Sequence, residues 1–142
     1  MSTYIDATPD AGKDFYQNFH DKGKVVMLNL LKFRKIADYS NIEALKPESD
    51  ITGEEAYQLY IENTLPELKK AGGRIIYFGK SNSFLIGPES EKWDAVLVVE
   101  QSSVMKFMEF AQNKDYLKTV GHRTAALEDS RLLPSTEIHD YK

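Results

Sequence analysis

Two stretches of the chain are apolar at nearly every position, KVVMLNLLKF at 24–33 and WDAVLVVEQ at 93–101. Read with the two-residue period of a strand, the first puts Val25, Met27, Asn29, Leu31 and Phe33 on one face. Val26, Leu28 and Leu30, followed by Lys32, take the other. A strand that is apolar on both faces has to be covered on both. Elsewhere the period is helical. In TPDAGKDFYQNFHDKG, 8–23, Ala11, Phe15 and Phe19 recur as a buried stripe. Thr8 caps this helix, Pro9 suits its first position, Asp10 complements its dipole and Gly23 ends it. A second helix starts at TGEE, where Thr52 and Glu55 have capping-box spacing, and runs to Gly72 and Gly73 with Ala56, Leu59, Tyr60 and Leu68 facing a core. Pro66 is expected to kink it or restart it near Thr64. A third helix, capped by Ser102 or Ser103, carries Val104, Phe107, Met108 and Ala111 at amphipathic spacing.

The remaining segments complete the pattern. RIIYFGKS, 74–81, predicts a strand that continues irregularly through SFLIG and turns at GPESEK. KDYLKTVGHRTAAL predicts a short irregular helix, and SRLLPST, 130–136, an edge strand in which Pro134 donates no ladder bond. Residues 35–51 form a polar connection longer than most loops, read either as a lid or interface arm or as a plain surface insertion. After the first helix the order is β-α-β-β-α-β. That is an α+β, ferredoxin-like arrangement with an antiparallel sheet and helices on one face. The economical cover for the other apolar face is a second copy of the chain. The expectation is therefore a homodimer of facing sheets, with a small cavity in the inter-subunit cleft.

Composition narrows the function classes. The 142 residues fit one domain, 1–142, with 1–23 as a helical extension and 35–51 as a long loop. The chain has no cysteine, which removes disulfides, thiol nucleophiles and zinc–thiolate sites and agrees with a reducing, cytoplasmic setting. MSTYIDATPDAG lacks the basic and apolar regions of a signal peptide, and VVML and AVLVV are too short to span a bilayer. A net charge of −4, with KFRK at 32–35 as the only basic cluster, argues against nucleic acid as a partner.

Strong catalytic motifs are missing: there is no dinucleotide or phosphate loop, no H-E-x-x-H and no nucleophile elbow. GGRIIYFGK opens no helix after its glycines, so it offers no phosphate site. His20, His122 and His139 are scattered, so no metal and no cofactor is expected, and His139 sits in a polar tail without an assigned role. Asn29 is the one strongly polar group on an apolar strand face. It is either a placed group of a binding pocket or an amide satisfying nearby backbone. In GHRTAALEDSRLL, His122 can serve as a general base oriented by Asp129, while Arg123 or Arg131 holds a carboxylate or enolate oxygen. The competing reading has His122 capping a helix and Arg123 pairing at a sheet edge. Tyr57, Tyr60, Tyr77 and Trp93 can line a cleft or serve as core with hydroxyls at the surface. Glu100 is an acid–base candidate or a solvated strand end.

The phrases MLNLLKF, EAYQLY, GGRIIYFGK, WDAVLVVEQSSVMKFMEF and DYLKTVGHRTAALEDSRLL resemble, in order and spacing, the domain-of-unknown-function 1330 family over roughly residues 24–134. That family is similar to the dimeric α/β-barrel superfamily, in which two ferredoxin-like sheets form a barrel across a dimer. The resemblance implies the fold and the dimer. It also implies a choice among cofactor-independent monooxygenases, lactone isomerases, haem-using peroxidases and pure ligand-binding modules. The first helix and the 35–51 loop read as additions to the family pattern. The leading expectation is binding of a small organic molecule, with Asn29, Tyr57, Tyr77 and Arg131 as ligand contacts. The second is a cofactor-independent isomerase or monooxygenase using His122, Arg123 and Asp129, with His122 and Arg123 at the rim of the inter-subunit cavity. The third is a structural interaction domain.

Overall fold

In the computed structural model, which describes residues 2–138, Thr8 caps helix α1 (Pro9–Phe19) by accepting from the Ala11 N–H. His139 lies outside the described residues. The Ala11–Phe15–Phe19 stripe is present, but no residue of α1 is buried. The helix touches the body edgewise, Phe15 meeting Phe107 at 5.5 Å between ring centroids. The helix ends at Phe19, short of the expected stop at Gly23, and strand β1 (Val25–Phe33) follows that glycine, whose φ of 77° is a left-handed turn conformation adopted at little cost by glycine.

Helix α2 (Gly53–Lys70) starts with the full capping box, Thr52 and Glu55 each accepting from the other's backbone N–H. It passes through Pro66 without restarting, so of the two expected outcomes the restart near Thr64 does not occur. Buried neighbours on both sides of the proline, Thr64, Glu67 and Leu68, hold the last turns against the sheet, so packing outweighs local propensity. Strand β2 (Arg74–Lys80) stops short of the expected extension, and 81–94 is a loop with one isolated bridge, Ser83 to Lys92. After strand β3 (Ala95–Gln101), Ser103 caps helix α3 (Val104–Ala111) while Ser102 donates to the Ala71 carbonyl. The irregular helix resolves into two short ones, α4 (Lys114–Thr119) and α5 (Gly121–Ala126). Strand β4 (Leu127–Ser135) begins three residues earlier than SRLLPST suggested and so takes in Glu128 and Asp129.

The four strands lie in the order β2-β3-β1-β4 with every neighbouring pair antiparallel, which is the ferredoxin-like sheet. Register sorts the faces. Asn29 stands opposite Leu97 and Leu132, and Leu31 opposite Ala95 and Ser130. Leu31, Ala95, Leu97 and Leu127 pack with Ala56 and Tyr57 of α2 and with Ala125 and Ala126 of α5 into the core. The opposite face carries Leu28 against Val98 and Leu133, and Leu30 against Val96, with Leu28 and Leu133 exposed. No helix among the described residues is long and apolar enough to cross a membrane.

The 35–51 loop is docked rather than free. The Asp38 N–H donates to the Ala125 carbonyl and the Ala37 N–H to the Ile51 carbonyl, and a short 3-10 turn (Glu43–Leu45) lies within it. Ile42 and Leu45 press so closely on Gly121 that a Cβ there would meet them at 2.6 and 2.8 Å.

Candidate functional site

Between the sheet's helix face and the helices lies a cavity of about 740 Å³. That is the size of a small-molecule site. Its floor is Met27, Asn29, Leu97 and Val99 of the sheet, and its walls are α2 from Tyr57 to Leu68 with Phe107 and Phe110 of α3. Ala11, Gly12 and Phe15 of α1 lie across the remaining side. The cavity is thus within one chain, on the helix side of the sheet. The inter-subunit cleft expected from the sequence would lie over the other face of the sheet. A smaller hollow of about 200 Å³, beside Asp38 and Ser40 in the 35–51 loop, touches none of the candidate residues.

Asn29 enters this cavity because the strand period puts it on the face shared with Met27 and Leu31. It is 8% exposed. Its amide nitrogen donates to the Met27 and Leu97 carbonyls at 3.3 and 3.1 Å, so both donors are spent on backbone, as the competing reading supposed. Among the described residues, Oδ1 accepts no hydrogen bond from protein. The same residue therefore satisfies the sheet and offers one acceptor to the cavity.

Tyr57, Tyr60 and Tyr116 form an aromatic corner. The Tyr57 and Tyr60 rings lie 5.1 Å apart, and the Tyr60 and Tyr116 hydroxyls are hydrogen-bonded at 3.0 Å. Burial pushes the Tyr57 hydroxyl far above the usual phenol range, with Tyr60 adding to the shift and Arg123 opposing it. Burial does the same to Tyr116. Both phenols therefore stay protonated and able to donate. The Tyr57 hydroxyl has no hydrogen-bond partner among the described residues, although the residue is only 2% exposed.

Arg123 projects from α5 to the same corner. Its Nη1 donates to the Ile5 carbonyl at 2.8 Å and lies 3.8 Å from the exposed Asp6 carboxylate. The Ile5 contact joins two others that hold the N-terminal segment along β4. The Tyr4 N–H donates to Asp129 Oδ1 at 2.8 Å, and Ser130 Oγ donates to the Tyr4 carbonyl.

His122 is placed differently. Its ring is 7% exposed, outside the cavity lining, and its Nδ1 is hydrogen-bonded to the Tyr39 hydroxyl at 2.7 Å. Burial lowers its pKa, so the imidazole is held neutral. Asp129 does not orient it. Burial raises the Asp129 pKa, but bonds from the Tyr4 N–H, Arg131 and the Ser130 N–H outweigh burial and leave the carboxylate ionised. Arg131 spends its charge on Asp129 at 2.7 Å and stacks over the Tyr4 and Trp93 rings, reaching the cavity only at its rim. Tyr77 is 57% exposed and paired with Val98 on the face away from the cavity, its ring lying over Gly79. Glu100 is the strand-end ion pair, 2.9 Å from Arg74 Nε, which holds its carboxyl below the usual range.

The structure thus brings together Asn29, Tyr57 and Arg123, with Arg131 beside them, and leaves His122, Asp129 and Tyr77 outside. Among the lining residues not singled out from the sequence are the polar Tyr116, Thr64 and Gln101. Thr64 Oγ1 and Gln101 Oε1 are buried without a partner. A helical count from Tyr57 and Tyr60 reaches Thr64 on the same face, but nothing local connects Tyr116 or Gln101 to them. Among the described residues, no group of three histidines or carboxylates is placed to hold a metal.

Residues 47–134 match the family described as domain of unknown function 1330. The match begins inside the 35–51 loop, so MLNLLKF falls before it. Two solved structures align over nearly the whole chain. The methylated RPA0582 protein is 34% identical with a TM-score of 0.86, covering 100% of both chains. The RPA0582 protein of unknown function from Rhodopseudomonas palustris is 34% identical with a TM-score of 0.84, covering 96% of this chain and 98% of that one. Alignment over both full lengths shows that α1 and the long loop are shared with that protein. An uncharacterised NIPSNAP domain protein from Burkholderia xenovorans, at 10% identity and a TM-score of 0.50, covers 84% of this chain and 98% of its own and shares the fold alone. No curated protein matches.

Proposed function

Starting from a chain that belongs to the domain of unknown function 1330 family, we propose that it binds a small, largely apolar organic molecule in the cavity between its sheet and its helices. The observation that carries this reading is a 740 Å³ space lined mainly by apolar side chains, with Asn29 and Tyr57 in its lining, whose amide oxygen and hydroxyl have no protein partner among the described residues. Unpaired buried polar groups are costly, and a ligand that pairs them removes that cost. Asn29 and Tyr57 are the polar contacts, and Arg131 closes the rim. His122, held by Tyr39, has no part in this site.

The site is tested with N-phenyl-1-naphthylamine, a neutral apolar fluorophore. Its emission is expected to rise with the wild type and to stay at the free-dye level with Leu65→Trp, which fills the space with an indole. Equal emission from both proteins rejects the cavity as the binding place.

The working form we propose is a cytoplasmic homodimer in which a second copy covers the exposed face carrying Leu28, Leu30, Val96 and Val98. Both faces of the central strands are apolar and the helices cover only one. Leu85 and Ile86, 99% and 90% exposed on the 81–94 loop, extend the same need for cover. Leu28→Glu is expected to sediment as a monomer or aggregate where the wild type sediments as a dimer. A monodisperse wild-type monomer at micromolar concentration removes the proposal.

A further inference from the structure

We propose that the cavity takes a monoanionic amphiphile, its carboxylate seated between the Arg123 guanidinium and the Tyr57 hydroxyl and its apolar body lying along α2 toward Leu68. This rests on the cavity being a ligand site and adds which molecules enter it and in which direction.

The first argument is charge. Three side chains of the lining carry a formal charge: Asp6, Arg123 and Arg131. Arg131 is neutralised at 2.7 Å by Asp129. Asp6 is 80% exposed and lies 3.8 Å from Arg123, where water screens it. Arg123 itself is only 15% exposed. A mostly buried guanidinium whose one carboxylate partner is long and solvent-screened is only weakly compensated, and an incoming anion compensates it further. Among the described residues it donates one hydrogen bond, to the Ile5 carbonyl. A guanidinium has about five N–H donors, so donors remain for a fork onto a carboxylate. One weakly compensated cation suits a single negative charge.

The second argument is the supply of neutral donors beside that cation. The Tyr57 hydroxyl lacks a partner, and within the Tyr60–Tyr116 pair one O–H is used and the other is left to donate onward. Held protonated by burial, Tyr57 and Tyr116 donate to an anion and do not repel it.

The third argument is direction. Along α2 the lining passes from Tyr57 and Tyr60 through Ile61 to Leu65 and Leu68, where Phe107 and Phe110 complete an apolar wall. At 1.5 Å per residue this run is about 16 Å long, the length of a head and a tail rather than of a compact polar metabolite. Thr64 and Gln101 are the polar exceptions in the far half.

The test displaces bound N-phenyl-1-naphthylamine with octanoate or with 1-octanol at neutral pH, two ligands that share a tail and differ in charge. Octanoate is expected to displace the dye at a concentration about tenfold lower than octanol, the preference of a charge-assisted pair. Arg123→Gln should bring the two within about twofold, and Arg123→Lys, which keeps the charge, should retain most of the preference. Tyr57→Phe, which keeps the ring, should weaken octanoate about threefold and leave octanol unchanged, and it carries the test if Arg123→Gln does not fold. Equal displacement by octanoate and octanol from the wild type, or a preference that survives Arg123→Gln, overturns the proposal while leaving the cavity as a neutral ligand site. Dye that never binds, or that neither compound displaces, overturns the cavity reading itself.

Discussion

His122 and Arg123 leave the same turn of α5 in different directions and meet opposite surroundings. The imidazole enters a closed seam between α5 and the 35–51 loop, where Tyr39 satisfies it. The guanidinium reaches a space lined by Tyr57 and Asn29, whose hydroxyl and amide oxygen have no protein partner among the described residues. The seam is backbone packed on backbone: the Gly53 N–H donates to the Arg34 carbonyl, and the Arg34 N–H to the Ala126 carbonyl. The cavity wall, by contrast, includes a helix with no buried residue of its own. A pairing that satisfies both partners contributes to stability, whereas polar atoms left open inside a protein reduce it and are available to a ligand. The nearness of a histidine, two arginines and an aspartate in sequence therefore says little about chemistry, because one residue of rotation around a helix assigns neighbours to different environments.

The contrast can be broken most forcefully with two glycines. A Cβ on Gly53 would meet the carbonyls of Arg34 and Ala126 and the Arg34 nitrogen, all backbone, whereas a Cβ on Gly12 in α1 meets nothing within 4 Å. Gly53→Ala should cost about 3 kcal/mol in urea unfolding. Gly12→Ala should stabilise by about 0.5 kcal/mol through helix propensity. Similar values for the two would mean that the seam is as loosely packed as α1.

A matched pair of tyrosines sharpens the comparison next. Tyr39→Phe strips His122 of its partner and should destabilise by about 1–2 kcal/mol. Tyr57→Phe removes a hydroxyl that bonds to no protein group and should leave the unfolding midpoint within about 0.5 kcal/mol of the wild type.

Acidification probes the seam alone. The folded-state pKa of His122 lies below its ordinary value because burial disfavours the imidazolium. The unfolded chain then binds the proton more readily, so this contribution to stability is complete above a pH of about 6.5 and is lost as the pH falls through the folded pKa. Unfolding free energies measured across that range should fall more steeply for the wild type than for His122→Gln. Identical slopes would show that the ring is solvated.

The smallest effect concerns Thr64. Thr64→Val keeps the shape and deletes an unpartnered buried oxygen, so stability should be unchanged or higher by up to about 1 kcal/mol. A loss above that would reveal a hydrogen bond at Oγ1 and bring the cavity closer in kind to the seam.

By itself the sequence determined the elements and their order. The switch between two-residue and helical periods, the Thr8 cap, the Thr52–Glu55 box and the glycines at 72–73 are local signals that survive in the structure, since each acts within a few residues of chain. Period two also grouped Val25, Met27, Asn29 and Leu31 on one face. It could not say which face the helices cover, because both are apolar, nor that a cavity would lie beneath them. Only the docking of α2 and α5 on Leu31, Ala95 and Leu127 decided that. The continuity of α2 through Pro66 and the fates of His122 and Arg123 were decided the same way. The rotation of a helix about its axis is set by what it packs against, and the partners here, Tyr39 and Ile5, lie 83 and 118 residues away along the chain.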